Sequence, residues 1–307
     1  MRVFVTGASG HIGFAVVAEL LSAKHQVIGL ARSEGSANKL SAVGADVVRG
    51  DLDNLGGLLA AAKAADGVIH LGYKHELAFG GTPDGFVKAS EHDVRVVQTI
   101  GEALLGSNKP FVNTSGTAQL ALFGGIARTG TEEDVVAGGP RVDGENAVIA
   151  LGKRGVRSSV IRLPPTVHSS LDHTGFVPMF VAAARKNGFA AYVGDGANVW
   201  PAVHTLDAAR LYRLALESAP AGTRLHGVAD EGVAFRAIAE AIGQGLGLPA
   251  KSVSPAEAPT YLGGMAHFAQ VNNPTSSART RTLLRWDPAH AGLLADLAES
   301  HYFDAAH

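Results

Sequence analysis

Gly7, Gly10 and Gly13 lie between two unlike segments. Before them runs Arg2-Val-Phe-Val-Thr6, a short apolar run rich in β-branched residues, and after them Phe14 to Ser22 has helical apolar spacing. Strand, glycine turn and helix in that order constrain the fold strongly, because they describe a strand delivering the chain to an open helix N-terminus. Gly7 permits the tight turn, Gly10 the close approach of a pyrophosphate, and Gly13 the packing of helix on strand. Unpaired N–H groups and the dipole at the helix start attract phosphate charge. The expectation is a dinucleotide site built on Gly7, Ser9, Gly10, His11, Ile12 and Gly13.

The following residues repeat the theme. Strands are expected at 26–31, 46–49, 67–71, 110–114 and 158–163, separated by helical spacing at 36–43, 54–65, 86–105 and 141–154. Strands apolar on both faces and alternating with helices predict an α/β fold, a Rossmann-type doubly wound parallel sheet covered on both sides. Residues 1–165 form the expected dinucleotide-binding core. Beyond Pro164-Pro165 the regularity loosens, with helices expected at 175–187, 205–218 and 235–245 and strand-like pieces flanking Gly194-Asp-Gly196. Residues 166–307 are read mainly as a smaller C-terminal substrate lobe, with about 200–230 returning to the core.

Composition removes several classes of function. A formal net charge of -2 gives no basic footprint, so nucleic acid is not the expected partner. The absence of cysteine removes disulfides, thiolate nucleophiles and thiolate metal sites together. No apolar run is long enough to span a bilayer, and a strand starting at Arg2 leaves no room for a signal peptide, which predicts a cytoplasmic protein without membrane contact. Thirteen histidines include no pair at His-Glu-x-x-His spacing, so no metal is expected.

The second strand ends Leu30-Ala31-Arg32-Ser33, without the acid that holds the ribose 2′-hydroxyl in NAD sites. A guanidinium and a hydroxyl suit a 2′-phosphate better, and His11 offers a further donor, so NADP(H) is favoured over NAD(H). Asp51-Leu52, after the third strand, stands where an Asp binds the adenine amino group, although Asp is also a good helix cap there.

Taken in order, these residues resemble the short-chain dehydrogenase/reductase superfamily, and within it the extended or atypical branch labelled NAD-dependent epimerase/dehydratase-like. The resemblance is carried by Thr6-Gly-Ala-Ser-Gly-His-Ile-Gly13, Asp51-Leu52, Val68-Ile-His-Leu-Gly72, Phe111-Val-Asn-Thr-Ser115, Val160-Ile-Arg-Leu-Pro-Pro-Thr-Val-His168 and Val203-His-Thr-Leu-Asp-Ala-Ala-Arg210. It implies that Leu71, Gly72, Thr114, Arg141 and Leu163 line the cofactor. It also implies a homodimer through helices 86–105 and 141–154, where Val94, Val97, Ile100 and Leu104 fit either an interface or packing on the sheet.

In that family a Ser or Thr after the fifth strand polarises the substrate oxygen, and a Tyr-x-x-x-Lys pair carries the proton. Here the Tyr position falls on Ala137 and the Lys position on Arg141, and no tyrosine lies between the fifth and sixth strands. Gly116 falls near the family's catalytic hydroxyl, leaving Ser115 and Thr117 as flanking candidates. A carbonyl reduction still needs a proton donor at the developing alkoxide. Strand ends direct attention to Tyr73, His75 and His168, of which imidazoles titrate near neutrality. By family position Phe176, Tyr192 and Trp200 approach the substrate, or else pack between lobes. His204 and Asp207 are expected to tie the helix they start to the sheet.

The leading expectation is an NADPH-dependent oxidoreductase acting on a small carbonyl-type substrate with a non-standard proton donor. A non-redox epimerase, lyase or isomerase on the same scaffold, and a non-catalytic NADP(H)-binding regulator, are the alternatives.

Overall fold

A computed structural model of the chain describes residues 1–304. In chain order the first half runs β1 (Arg2–Thr6), α1 (His11–Ser22), β2 (Gln26–Ala31), α2 (Glu34–Ala42), β3 (Asp46–Arg49), α3 (Leu55–Ala64), β4 (Gly67–His70), α4 (His75–Phe79), α5 (Gly85–Leu104), β5 (Pro110–Gly116), α6 (Ala118–Leu122), α7 (Val142–Leu151) and β6 (Arg157–Leu163). The second half adds β7 (Thr166–His168), α8 (Phe176–Asn187), β8 (Ala190–Val193), β9 (Val199–His204), α9 (Thr205–Ser218), β10 (Thr223–His226), β11 (Asp230–Ala234), α10 (Phe235–Leu246), β12 (Ala250–Val253), α11 (Ala258–Leu262), α12 (Ala278–Leu284) and α13 (Leu293–Asp296).

Seven strands form one parallel sheet in the order β10-β6-β5-β4-β1-β2-β3. The chain winds outward from β1 to β3, then returns to β4 and winds the other way, which opens a crevice at the carboxyl ends of β1 and β4. Val5, Val16, Leu20, Leu211 and Tyr212 fill the layer between the sheet and α1 and α9. Phe4, Val68, Val97, Ile100 and Phe111 fill the opposite layer under α3, α5 and α7. Since Val97, Ile100 and Leu104 are wholly buried in that layer, the apolar stripe of α5 faces its own sheet.

β10 is the seventh strand that the sequence did not reveal. Thr223-Arg-Leu-His226 has no apolar alternation, and it joins the sheet by pairing with β6. α4 and α6 lie outside the helices expected from the sequence, because five residues are too few for a 3.6-residue period to show.

A third core holds Phe180, Trp200, Phe235, Ile238 and Tyr302 between α8, α10 and the small parallel pair β8–β12. His204 caps α9 through its Nδ1, which accepts the Leu206 N–H at 3.2 Å. Asp207 does not tie α9 to the sheet as expected. It accepts from the backbone N–H groups of Ala289 and His290, each at 3.0 Å, and so fastens the C-terminal segment. Among the described residues no helix is long and apolar enough to cross a membrane, and no group of three or more acids and histidines is placed to hold a metal ion.

Candidate active site

The glycine turn closes on the end of β4. Gly7 has φ +67°, and a Cβ on it would lie 2.7 Å from the Gly72 amide nitrogen. A Cβ on Gly13 would lie 2.8 Å from the Gly7 carbonyl carbon. Gly10 caps α1 with an extended backbone, is exposed, and is followed by no carboxylate in the first turn. The outcome is a bare helix N-terminus at the crevice, which supplies the donors and dipole that a pyrophosphate needs. These residues fit a dinucleotide.

His11 does not add a donor to that phosphate site. Its Nε2 lies 2.7 Å from Thr205 Oγ1 and its Nδ1 3.5 Å from Asp172, so the ring turns into the second lobe. Burial, then the neighbouring His173, His168 and His204, pull its pKa down to about 4. Burial also pushes the Asp172 carboxyl up to about 6.

At the end of β2, Arg32 is 70% exposed and donates to both Glu76 oxygens, at 2.9 and 3.3 Å. An ion pair exposed at both ends is weak, so the guanidinium can exchange partners. Ser33 caps α2 by accepting the Ser36 N–H at 3.2 Å, and Arg49 donates to the Ser33 carbonyl at 2.7 Å. Asp51 Oδ1 accepts from the Asp53 and Asn54 N–H groups, a local turn leading into α3. Leu52 packs on Gly72, where a Cβ would meet its Cδ2 at 3.1 Å.

Beneath the crevice runs a buried chain of polar groups. Thr6 Oγ1 accepts the Gly72 N–H at 3.1 Å and lies 2.6 Å from His70 Nδ1. His70 Nε2 is 3.1 Å from Asp93 Oδ1, so Nε2–H donates to the carboxylate and Nδ1 takes the Thr6 hydroxyl proton. Asp93 Oδ2 faces Arg141 Nη1 at 3.4 Å. Burial opposes the Asp93 charge, yet Arg141 and His70 outweigh it and hold the carboxyl below its ordinary range. Arg141 also donates to the Thr114 carbonyl at 3.1 Å and lies 4.1 Å over the Tyr73 ring. Its φ of +66° is unfavourable for a side chain, and these three contacts hold it there.

Tyr73 presents its ring but not its proton. Ser90 gives its one hydroxyl proton to the Phe86 carbonyl at 2.8 Å, so the Tyr73 hydroxyl, 3.0 Å away, donates to Ser90. Burial keeps this phenol above its usual pKa.

At the end of β5 the hydroxyls are equally committed or enclosed. Thr114 donates to the His70 carbonyl at 2.8 Å and lies 2.7 Å from Tyr212 OH. Ser115 is buried with no hydrogen-bond partner for Oγ among the described residues. Thr117 is wholly buried 2.8 Å from the Asn273 carboxamide, which accepts its hydroxyl at Oδ1 in the orientation that satisfies both groups. The Thr117 N–H donates to the Leu163 carbonyl at 2.9 Å, which joins the ends of β5 and β6. Gly116 between them is open, for a Cβ there would meet nothing nearer than 3.7 Å.

His168 is not at the cleft surface. It is wholly buried in β7, with Nδ1 2.9 Å from Asp296. Trp200 is likewise core and donates to the Val271 carbonyl at 3.2 Å, while Tyr192 packs in the second lobe beneath Arg236. Neither approaches the crevice as expected, because β8 and β9 direct them inward. Phe176 packs on the second-lobe core beside Trp200, at 5.5 Å between ring centroids, and belongs to a chain of rings. His75 meets Tyr73 edge-on at 5.1 Å and Phe79 at 6.1 Å, Phe79 meets Phe268 at 6.4 Å, and Phe268 meets Phe176 at 5.8 Å. His75 is exposed, and its imidazole has no hydrogen-bond partner among the described residues. Beside this chain of rings a groove of about 550 Å³ lies between α6 with its following loop (Ala121, Leu122, Ile126) and residues 267–272 (His267, Gln270, Val271).

The model of a family described as "NAD dependent epimerase/dehydratase family" matches residues 3–226. The chain belongs to this family. It is 44% identical over 305 residues to an uncharacterized protein of Schizosaccharomyces pombe, covering 99% of this chain and 100% of that one. It is 38% identical to an uncharacterized protein of Saccharomyces cerevisiae, covering 98% and 99%. A 2′-dehydrokanamycin reductase of Streptomyces kanamyceticus is 28% identical, covering 98% and 80%. Among solved structures, a dTDP-glucose 4,6-dehydratase of Streptomyces venezuelae with NAD bound superposes with TM-score 0.77 at 20% identity, covering 100% of this chain and 98% of that one. That likeness shows the fold, a Rossmann-type parallel sheet.

Within the family frame, sequence reasoning missed Ser90, Asp93 and Asn273. Asp93 had a weak signal, an acid among the buried positions of α5. Asn273 had none, since only folding brings it to Thr117.

Proposed function

We propose that the chain is an NADPH-dependent oxidoreductase that reduces a small carbonyl compound, with His75 as proton donor. The observation that carries this reading is the unpartnered imidazole of His75 beside the ring of Tyr73, at a point where every other candidate donor is enclosed or engaged. The nicotinamide supplies the hydride when bound. Gly7, Gly10 and Gly13 would receive the pyrophosphate of the dinucleotide, and Arg141 holds the end of β5 through the Thr114 carbonyl. Arg141 also fixes the Tyr73 ring, so Tyr73 acts as a platform that positions His75. Partial burial and the nearby Arg141 hold the His75 imidazole below its ordinary pKa, so its protonated form is the minor one at neutral pH. That form donates to the developing alkoxide and is reprotonated from water at its exposed edge, and turnover should rise as pH falls below neutral.

The preference for NADPH rests on Arg32 and Ser33. Arg32 needs only to leave an exposed carboxylate for a 2′-phosphate, which offers more charge and a matching fork of acceptors. Arg49, beside the Ser33 carbonyl, is paired with the exposed Glu34 at 3.4 Å, a weak ion pair that a 2′-phosphate can also displace.

The test is NADPH oxidation with a panel of ketones and aldehydes, together with cofactor titrations. His75→Ala is expected to lower kcat by about a hundredfold with the cofactor Kd unchanged, in line with the loss of a general acid. Arg32→Ala is expected to weaken NADPH about tenfold and NADH hardly at all. Full turnover in His75→Ala removes His75 from the mechanism. Cofactor binding without turnover of any carbonyl favours a regulator or a non-redox enzyme.

A further inference from the structure

We infer that the groove between α6 and residues 267–272 receives the body of the substrate, and that this body is uncharged and apolar rather than a nucleotide diphosphate. The inference rests on the proposed carbonyl chemistry only for the reacting end of the molecule.

Three observations carry it. One wall of the groove starts at Ala121, in the helix α6 that follows β5, and the other ends at Asn272, next to the Asn273 that bonds Thr117 at the end of β5. A ligand lying in it therefore points toward the strand ends where the cofactor site opens. Second, Ala121, Leu122, Ile126, Ala127 and Val271 make the greater part of its lining, beside the uncharged carboxamides of Gln270 and Asn272 and the imidazole of His267. The aromatic chain Phe79–Phe268–Phe176 continues this apolar surface toward His75.

Third, neither stretch that builds the groove holds a charge. Residues 114–127 and 258–277 contain no Asp, Glu, Lys or Arg, in a chain that is 18% charged. The next cation along, Arg128, is spent on Asp134, which it grips with both guanidinium nitrogens. A diphosphate requires cations or an open helix N-terminus to replace its water. This groove has neither, so a phosphate or carboxylate placed there would lose hydration without a partner. An alkyl or aryl group loses nothing of the kind and gains from burial.

The matched probes are 2-nonanone and 8-oxononanoate, which share the methyl ketone and chain length but differ in the far end, with dTDP-glucose as the diphosphate. Binding is read by displacement of a fluorescent apolar dye from the protein saturated with NADPH, and turnover is followed separately. The expected result is that affinity rises about threefold per methylene from 2-pentanone to 2-nonanone, as burial of each group predicts. The keto acid is expected to bind at least about tenfold more weakly than 2-nonanone. Ile126→Arg should reverse that order, weakening 2-nonanone and strengthening the keto acid. Binding of the ketones in this pattern without turnover upholds the groove and overturns the oxidoreductase reading instead. Tighter binding of dTDP-glucose than of 2-nonanone, or equal affinity for the ketone and the keto acid, overturns the inference. So does an Ile126→Arg protein, folded by circular dichroism, that shows the wild-type order.

Discussion

Replacing Arg141 by Met tests the buried chain under the crevice. The substitution keeps most of the side-chain length but leaves Asp93, 4% exposed, without its cation. At 3.4 Å and an effective dielectric of 20, the gross attraction between the two charges is about 5 kcal/mol. Desolvation of Arg141, which stays partly open to solvent, and the surviving hydrogen bond from His70 both reduce the net value. The expected loss of stability is about 2 kcal/mol, read by urea unfolding at pH 7.5. The Asp93 carboxyl should then rise from its depressed pKa, because burial, which already opposes its charge, is no longer outweighed.

The double variant Arg141→Met with Asp93→Asn separates this cause from simple loss of packing. Removing both charges leaves no orphaned carboxylate, so the double variant should be more stable than the sum of single effects by about 1.5 kcal/mol. Additivity within about 0.5 kcal/mol, or an Arg141→Met protein as stable as wild type, refutes the coupling and with it the role given to Arg141.

Stability should also fall with acid. His11 and His226 are held neutral by burial, each with its pKa lowered from 6.5 to about 4. The unfolded chain takes up those protons near pH 6.5, so stability present above that pH is lost as pH drops toward 4, up to about 3 kcal/mol per histidine. Asp172, raised to about 6, acts in the opposite sense between pH 6 and 3.8 and offsets about one of them. Unfolding free energies at pH 7.5 and 4.5 check this, and a flat profile counts against it. Gly7→Ala should cost about 2–4 kcal/mol, from the positive φ and the collision with Gly72, and should abolish dinucleotide binding in a calorimetric titration. Gly116→Ser, by contrast, meets only ordinary contacts and should change stability by less than about 0.5 kcal/mol. A loss above about 1 kcal/mol would mean that the end of β5 is closed.

The residue pattern alone determined the alternation of apolar strands and helices, the glycine turn, and the lack of an acid after β2. These are local properties, fixed by spacing within ten or twenty residues, and they define the parallel sheet and the cofactor crevice. The missing tyrosine at Ala137 was legible for the same reason. Tertiary structure alone decided which polar groups at the crevice are free. Arg141 meets Asp93 across 48 residues, Thr117 meets Asn273 across 156, and His11 meets Thr205 across 194. Nothing in a local window encodes such pairs, and each removes or fixes a side chain that the sequence offered to the chemistry. His75 stands out only because the fold has engaged or buried its rivals.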